Sequence, residues 1–202
     1  AAALPPITMY VGTWNVNGKV CTPDDLDAWL GEISPAEIAM AQAEAPGPPG
    51  VYAIGFQEFV DLTAQNLLRD DAARRQECRA KVVQCLQRLH GERYVEVGVE
   101  QMFGVFLLVF VHPALAGYVK GVCAEVVRTG FGSDSLGVKA GNKGGIAVRL
   151  DLGGASLCII NSHLPAGQSH PEERNATYGE VRPMAAWAKA ARASAAACPS
   201  AA

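Results

Sequence analysis

The stretch Ile146-Ala147-Val148-Arg149-Leu150-Asp151-Leu152, Gly153-Gly154, Ala155-Ser156-Leu157-Cys158-Ile159-Ile160-Asn161 decides the class of fold. Two apolar runs flank a two-glycine link, and a hairpin turn needs residues that reach positive φ without strain. The stretch therefore reads as an antiparallel hairpin. Upstream, Gly104 to Val111 is apolar throughout, as a strand covered on both faces must be. Val51 to Gln57 is a second buried strand and ends abruptly in the polar pair Gln57-Glu58. Ile7 to Val16 and Tyr94 to Val99 alternate like strands, and Val119 to Val127 is a further candidate.

Between them, Asp61 to His90 carries the longest helical pattern. Leu68, Ala72, Cys78, Val82, Cys85, Leu86 and Leu89 recur at steps of three and four, with Asp61 as N-cap and Gly91 as stop. Asp24 to Met40 holds short helical pieces interrupted at Ser34-Pro35, and Pro46 to Gly50 forces a loop. Gly130 to Gly145 reads as a glycine-rich loop, and Ser169 to Ala197 as helix broken near Pro183. Strands joined by short links, before and after one long helix, predict mixed or antiparallel sheets with helices outside, not a regular βαβ series.

Composition narrows the function. Of 202 residues, 50% are hydrophobic and 18% charged, enough to bury a core, and the formal charge of −3 gives no generic basic surface for nucleic acid. The longest apolar run, Val105 to Val111, is far too short to cross a bilayer as a helix. The start, Ala1 to Pro6, shows no signal peptide, and the chain lacks an initial Met, as expected of a processed chain or a fragment. Six cysteines at 21, 78, 85, 123, 158 and 198 form no C-x-x-C pair, so a reducing compartment and neither zinc nor a disulfide framework are expected.

Four motifs can carry chemistry. In Gly12-Thr13-Trp14-Asn15-Val16-Asn17-Gly18-Lys19, strand alternation points Asn15 and Asn17 the same way, and both offer carbonyl oxygens to a hard cation. A strand end followed by an Asn-Gly turn is the plainer reading. The phosphate-loop reading fails, because five residues separate Gly12 from Gly18 and Val20 follows Lys19. In Ile54-Gly55-Phe56-Gln57-Glu58, a carboxylate hangs at the end of a rigid strand. In Lys139-Ala140-Gly141-Asn142-Lys143-Gly144-Gly145, glycines let a ligand approach, and lysines with backbone N–H groups suit phosphate; a solvated loop is the alternative. In Asn161-Ser162-His163-Leu164, His163 again sits at a strand end, and Glu172-Glu173-Arg174-Asn175 follows. Asn15, Glu58 and His163 thus all follow strands, and strand ends in a layered protein can converge on one rim.

These motifs, in this order, resemble those of inositol polyphosphate 5-phosphatases, within the endonuclease/exonuclease/phosphatase superfamily. The resemblance runs from about Ile7 to Tyr178. It implies a four-layer α/β sandwich with two mixed sheets, outer helices and the C-terminal part missing. The partial domain would span 7–184 and an Ala-rich tail 185–202. It further implies Mg²⁺-dependent removal of the 5-phosphate from an inositol polyphosphate or phosphoinositide. By motif position, Glu58 and Asn15 would hold metal, and His163 and Asn17 would serve catalysis. Asn142, Lys143, Arg174 and Asn175 would meet substrate. A cytoplasmic protein with transient membrane contact and no nucleic-acid partner is implied. The family's later Trp-x-Gly-Asp-x-Asn-Tyr-Arg and Ser-Asp-His motifs do not occur in these 202 residues. The chain alone is therefore expected to be inactive. A non-catalytic relative that binds phosphoinositide or protein, and a nuclease of the same superfamily, are the alternatives.

Overall fold

The computed structural model describes residues 4, 6–31, 47–59, 72–129, 143–166 and 171–193. The first sheet has the order β1-β2-β4-β3, formed by β1 (Met9–Asn15), β2 (Val51–Gln57), β4 (Val105–Val111) and β3 (Val95–Met102). Only β1 and β2 run parallel; β2 with β4 and β4 with β3 are antiparallel. The second sheet, β5 (Val119–Thr129), β6 (Lys143–Leu152) and β7 (Ala155–His163), is antiparallel throughout its described strands. The first sheet is thus mixed and the second antiparallel, in line with the expectation of mixed or antiparallel sheets with helices outside.

Helices α1 (Pro23–Gly31) and α2 (Ala72–His90) cover the outer face of the first sheet. Helices α3 (Pro171–Val181) and α4 (Met184–Ala193) cover the second. The four layers explain the sequence of the central strands. In β4, Phe106, Leu108 and Phe110 join the core under α1 and α2, while Val105, Leu107, Val109 and Val111 join the core between the sheets. A strand with two apolar environments has no polar face to show. In β6, Ile146, Val148 and Leu150 face the inter-sheet core, and Ala147 packs under Val181 and Met184.

The predicted hairpin is present. Leu152 pairs with Ala155, and Gly153 and Gly154 both take positive φ, +57° and +95°. Gly91 (φ +71°) ends α2, its N–H bonded to Gln87 O. Residues 60–71, where the sequence places the start of that helix, lie outside the described residues, as does the Ser34-Pro35 break. Lys143, Gly144 and Gly145 belong to β6 rather than to a loop. Their glycines serve strand packing: a Cβ on Gly144 (φ +136°) would lie 2.1 Å from Val127 O, and one on Gly145 2.7 Å from Val181.

Three features depart from the simple pattern. On β1, Tyr10 and Trp14 pack toward the helices, leaving Val11 69% exposed on the other face. Arg149 on β6 is 1% exposed, its guanidinium donating to both Asp151 carboxylate oxygens and to Gly121 O. Cys123 is disulfide-bonded, against the expectation of reduced cysteines, whereas Cys21, Cys78, Cys85 and Cys158 are free. Burial pushes the thiols of Cys78 and Cys85 up to about 12, which suits inert apolar side chains. Among the described residues no helix is long and apolar enough to cross a membrane.

Candidate active site

Glu58 follows the last residue of β2, Lys143 opens β6 and His163 closes β7. Gly144 pairs with His163, so Lys143 lies one step beyond its neighbour on the adjacent strand. Its Nζ donates to His163 Nε2 at 2.6 Å, and Glu58 Oε1 lies 3.6 Å from the same nitrogen. A carboxylate from the first sheet thus meets an imidazole and an ammonium from the second.

The electrostatics follow from this packing. Burial holds His163 below the usual histidine range, the neighbouring Lys143 charge adds to that, and Glu58 opposes it. Burial likewise lowers Lys143, again opposed by Glu58. With the ammonium donating, Nε2 of His163 is the accepting nitrogen of a neutral ring.

A buried amide network sets the distance between the two sheets at this point. Gln57 Nε2 donates to Thr13 Oγ1 at 2.7 Å and to Asn161 Oδ1 at 2.5 Å. Asn161 Nδ2 donates to the carbonyls of Phe56 and Phe106, each at 3.1 Å. Gln57 precedes Glu58, and Asn161 lies two residues before His163 on the same strand face. The network therefore joins β1, β2 and β4 to β7 directly beneath the two side chains. Gly55 leaves room for it, since a Cβ there would lie 2.7 Å from Asn161 Cγ. Gly55→Ala is expected to lower unfolding free energy by about 1–3 kcal/mol through overpacking. Chemical denaturation checks this; a loss below about 0.5 kcal/mol would show that Asn161 moves aside freely.

Asn15 ends β1 opposite Gln57. Its Oδ1 accepts the N–H of Asn17 at 3.0 Å. Asn17 itself is left-handed (φ +47°), so the alternation expected to aim both side chains alike stops at Asn15. The turn is stitched to Glu58: Val16 N–H donates to Gln57 O at 2.9 Å, and Gly18 N–H to Glu58 O at 2.8 Å. Glu58 is also left-handed, φ +49°. A non-glycine residue in that region costs about 1–2 kcal/mol, and such strain gathers at functional sites.

Asn15, Asn17 and Glu58 are thus brought onto adjoining strand ends, with Lys143 and His163 against Glu58. Asn142 lies outside the described residues. Arg174 and Asn175 sit on α3, Arg174 half-buried and Asn175 exposed, and the contacts joining Glu58, Lys143 and His163 involve neither. Sequence reading missed the roles of Gln57, Asn161, Thr13 and Arg74. A polar residue closing an apolar run was available as a signal for Gln57 and Asn161. Nothing local marks Arg74.

Two stacked sheets between helical layers, with polar side chains gathered at strand ends, define an α/β sandwich of the endonuclease/exonuclease/phosphatase type. Residues 12–196 match Endonuclease/Exonuclease/phosphatase family 2, and the chain belongs to that family. It is 34% identical over 181 residues to Synaptojanin-2 of Rattus norvegicus, covering 87% of this chain and 12% of that protein. It is 35% identical over 174 residues to the Type II inositol 1,4,5-trisphosphate 5-phosphatase of Mus musculus, covering 85% of this chain and 15% of that protein. The crystal structure of the inositol polyphosphate 5-phosphatase domain of SPsynaptojanin, in complex with inositol (1,4)-bisphosphate and calcium ion, superposes with a TM-score of 0.68 at 29% identity. That match covers 88% of this chain and 46% of the solved chain. The resemblance to inositol polyphosphate 5-phosphatases read from the motifs is borne out.

Proposed function

We propose that the chain provides the metal- and phosphate-holding face of an inositol polyphosphate 5-phosphatase, which removes the 5-phosphate of an inositol polyphosphate or phosphoinositide with Mg²⁺. The observation that carries this reading is the meeting of Glu58, Lys143 and His163 from three strands of two sheets. A phosphate monoester dianion repels a nucleophile, so such a site must present positive charge. The donor set fits a hard cation: one carboxylate at a strand end beside two amide side chains. Among the described residues no cluster of three or more His, Cys, Asp or Glu could cage a metal. A cation that keeps several of its waters suits so sparse a set. Glu58 would hold Mg²⁺ with Asn15 and Asn17, and the bound ion supplies Lewis acidity toward a phosphoryl oxygen.

The remaining roles belong to the chain's own groups. Lys143, with Asn142, donates to the incoming phosphate. That contact releases Nε2 of the neutral His163 from Lys143; the ring then takes up a proton from solvent at Nε2, becoming imidazolium, and donates it in a hydrogen bond to a phosphoryl oxygen. Arg174 and Asn175 steady the substrate from α3. A lipid substrate would bring transient contact with the cytosolic face of a membrane, and the reading takes the protein to act in the cytoplasm.

The test is calorimetric titration of residues 1–202 with a soluble inositol polyphosphate in Mg²⁺. Lys143→Ala is expected to weaken binding by about 1.5–3 kcal/mol, roughly 10–150-fold, as for loss of a charge-assisted hydrogen bond. Its melting temperature should stay close to that of the parent, because Lys143 lies at a strand end. Unchanged binding would overturn the assignment. Nicking of plasmid DNA by the parent chain would instead favour a nuclease.

A further inference from the structure

Arg74 lies in the first turn of α2, away from every motif read in the sequence. Its Nη2 donates to the carbonyls of Gly18 at 2.7 Å and Lys19 at 2.9 Å. Its guanidinium carbon sits 5.1 Å from the centroid of the Phe59 ring. One side chain therefore grips both the turn after β1 and the residue after Glu58. The backbone closes the circuit, since Gly18 N–H donates to Glu58 O and Phe59 N–H to Gly104 O.

Both gripped segments hold left-handed residues, Asn17 and Gly18 in one and Glu58 in the other. Such conformations persist only where surrounding contacts over-determine them. Both hydrogen bonds leave one nitrogen, so what the guanidinium adds over a lysine is a planar charged face lying against the Phe59 ring while its Nη2 reaches the two carbonyls. We propose that Arg74 is a positioning residue, fixing the Asn15–Lys19 turn and Glu58 relative to each other and so shaping the cation site. This deepens the functional reading above, because it rests on Glu58 and the two asparagines facing a divalent ion.

The experiment uses residues 1–202 as parent, Arg74→Ala, Arg74→Lys and Phe59→Leu, with Glu58→Gln as control. Mn²⁺ binding is measured by electron paramagnetic resonance, and amide exchange is followed at Gly18, whose N–H is bonded to Glu58 O. Arg74→Ala should raise the Mn²⁺ dissociation constant roughly tenfold, and should speed Gly18 exchange by a similar factor, the equivalent of one lost hydrogen bond to a charged group. Arg74→Lys should recover less than half of either loss. Phe59→Leu, which keeps both hydrogen bonds and removes the ring, should fall between.

Parent-like Mn²⁺ affinity and Gly18 protection in Arg74→Ala would overturn the proposal. Faster exchange spread evenly over core amides would also overturn it, by showing a general structural role. If neither the parent nor the control binds Mn²⁺, the functional reading fails and the cation-shaping part of the proposal falls with it. Gly18 exchange then still decides whether Arg74 holds the turn.

Discussion

Purified residues 1–202, given Mg²⁺ and a soluble inositol polyphosphate, are expected to release phosphate at no more than background rate. In the proposed function the cluster of Glu58, Lys143 and His163 would hold a cation and a phosphate. It does not account for activating water. His163 is neutral, but its Nε2 is engaged by Lys143 in the free state and is assigned to the phosphate in the bound one. The Trp-x-Gly-Asp-x-Asn-Tyr-Arg and Ser-Asp-His motifs, to which the resemblance assigns the attacking water and the transferring phosphate, do not occur in these 202 residues. General acid–base help is commonly worth about 10²–10⁴-fold, and a placed electrostatic donor about 10²–10³-fold. Losing both leaves little above the uncatalysed rate. Phosphate release assayed beside Glu58→Gln checks this. Robust release that the substitution abolishes would show that the polypeptide supplies its own general base.

Glu58→Gln is expected to weaken divalent-ion binding by about 100-fold, roughly 2.7 kcal/mol. Partners that only orient metal ligands are commonly worth about 10–100-fold, so loss of a carboxylate that itself binds the ion should meet the upper end. Stability should hardly move. The Glu58–His163 approach is 3.6 Å to a ring that burial and the Lys143 charge keep neutral, so the charge attraction lost is that to the Lys143 ammonium, which has no direct hydrogen bond to Glu58 behind it. Gln also keeps the shape that the left-handed backbone at position 58 already accommodates. Calorimetric titration with Mg²⁺, paired with a melting curve, separates the two effects. Unchanged Mg²⁺ affinity in a folded variant would remove Glu58 from the metal site.

Much of the architecture was legible because its determinants are local. An all-apolar β4 between two cores, a two-glycine turn, a helix stopped at Gly91 and a break at Pro183 each depend on a few consecutive residues. The strand-end placement of Asn15, Glu58 and His163 was legible for the same reason: a polar residue that abruptly ends an apolar run marks where a strand leaves the core. The same local reasoning misled where neighbours in space imposed their own terms. Lys143 to Gly145 looked like a loop because of their glycines. Those glycines are needed where β6 passes Val127 O and Val181.

The sequence by itself determined the elements, the layered class and which strand ends carry polar groups. The tertiary structure alone decided what those groups touch. Gln57 and Asn161 are 104 residues apart, and their hydrogen bond exists only because the stacking of two sheets brings β2 over β7. The grip of Arg74 on Gly18, across 56 residues, arises from how α2 lies on the first sheet. Strand period and turn chemistry act over a few residues, so a linear reading can follow them. Contacts between sheets and across helix–sheet packing are set by register and stacking, which no local pattern encodes.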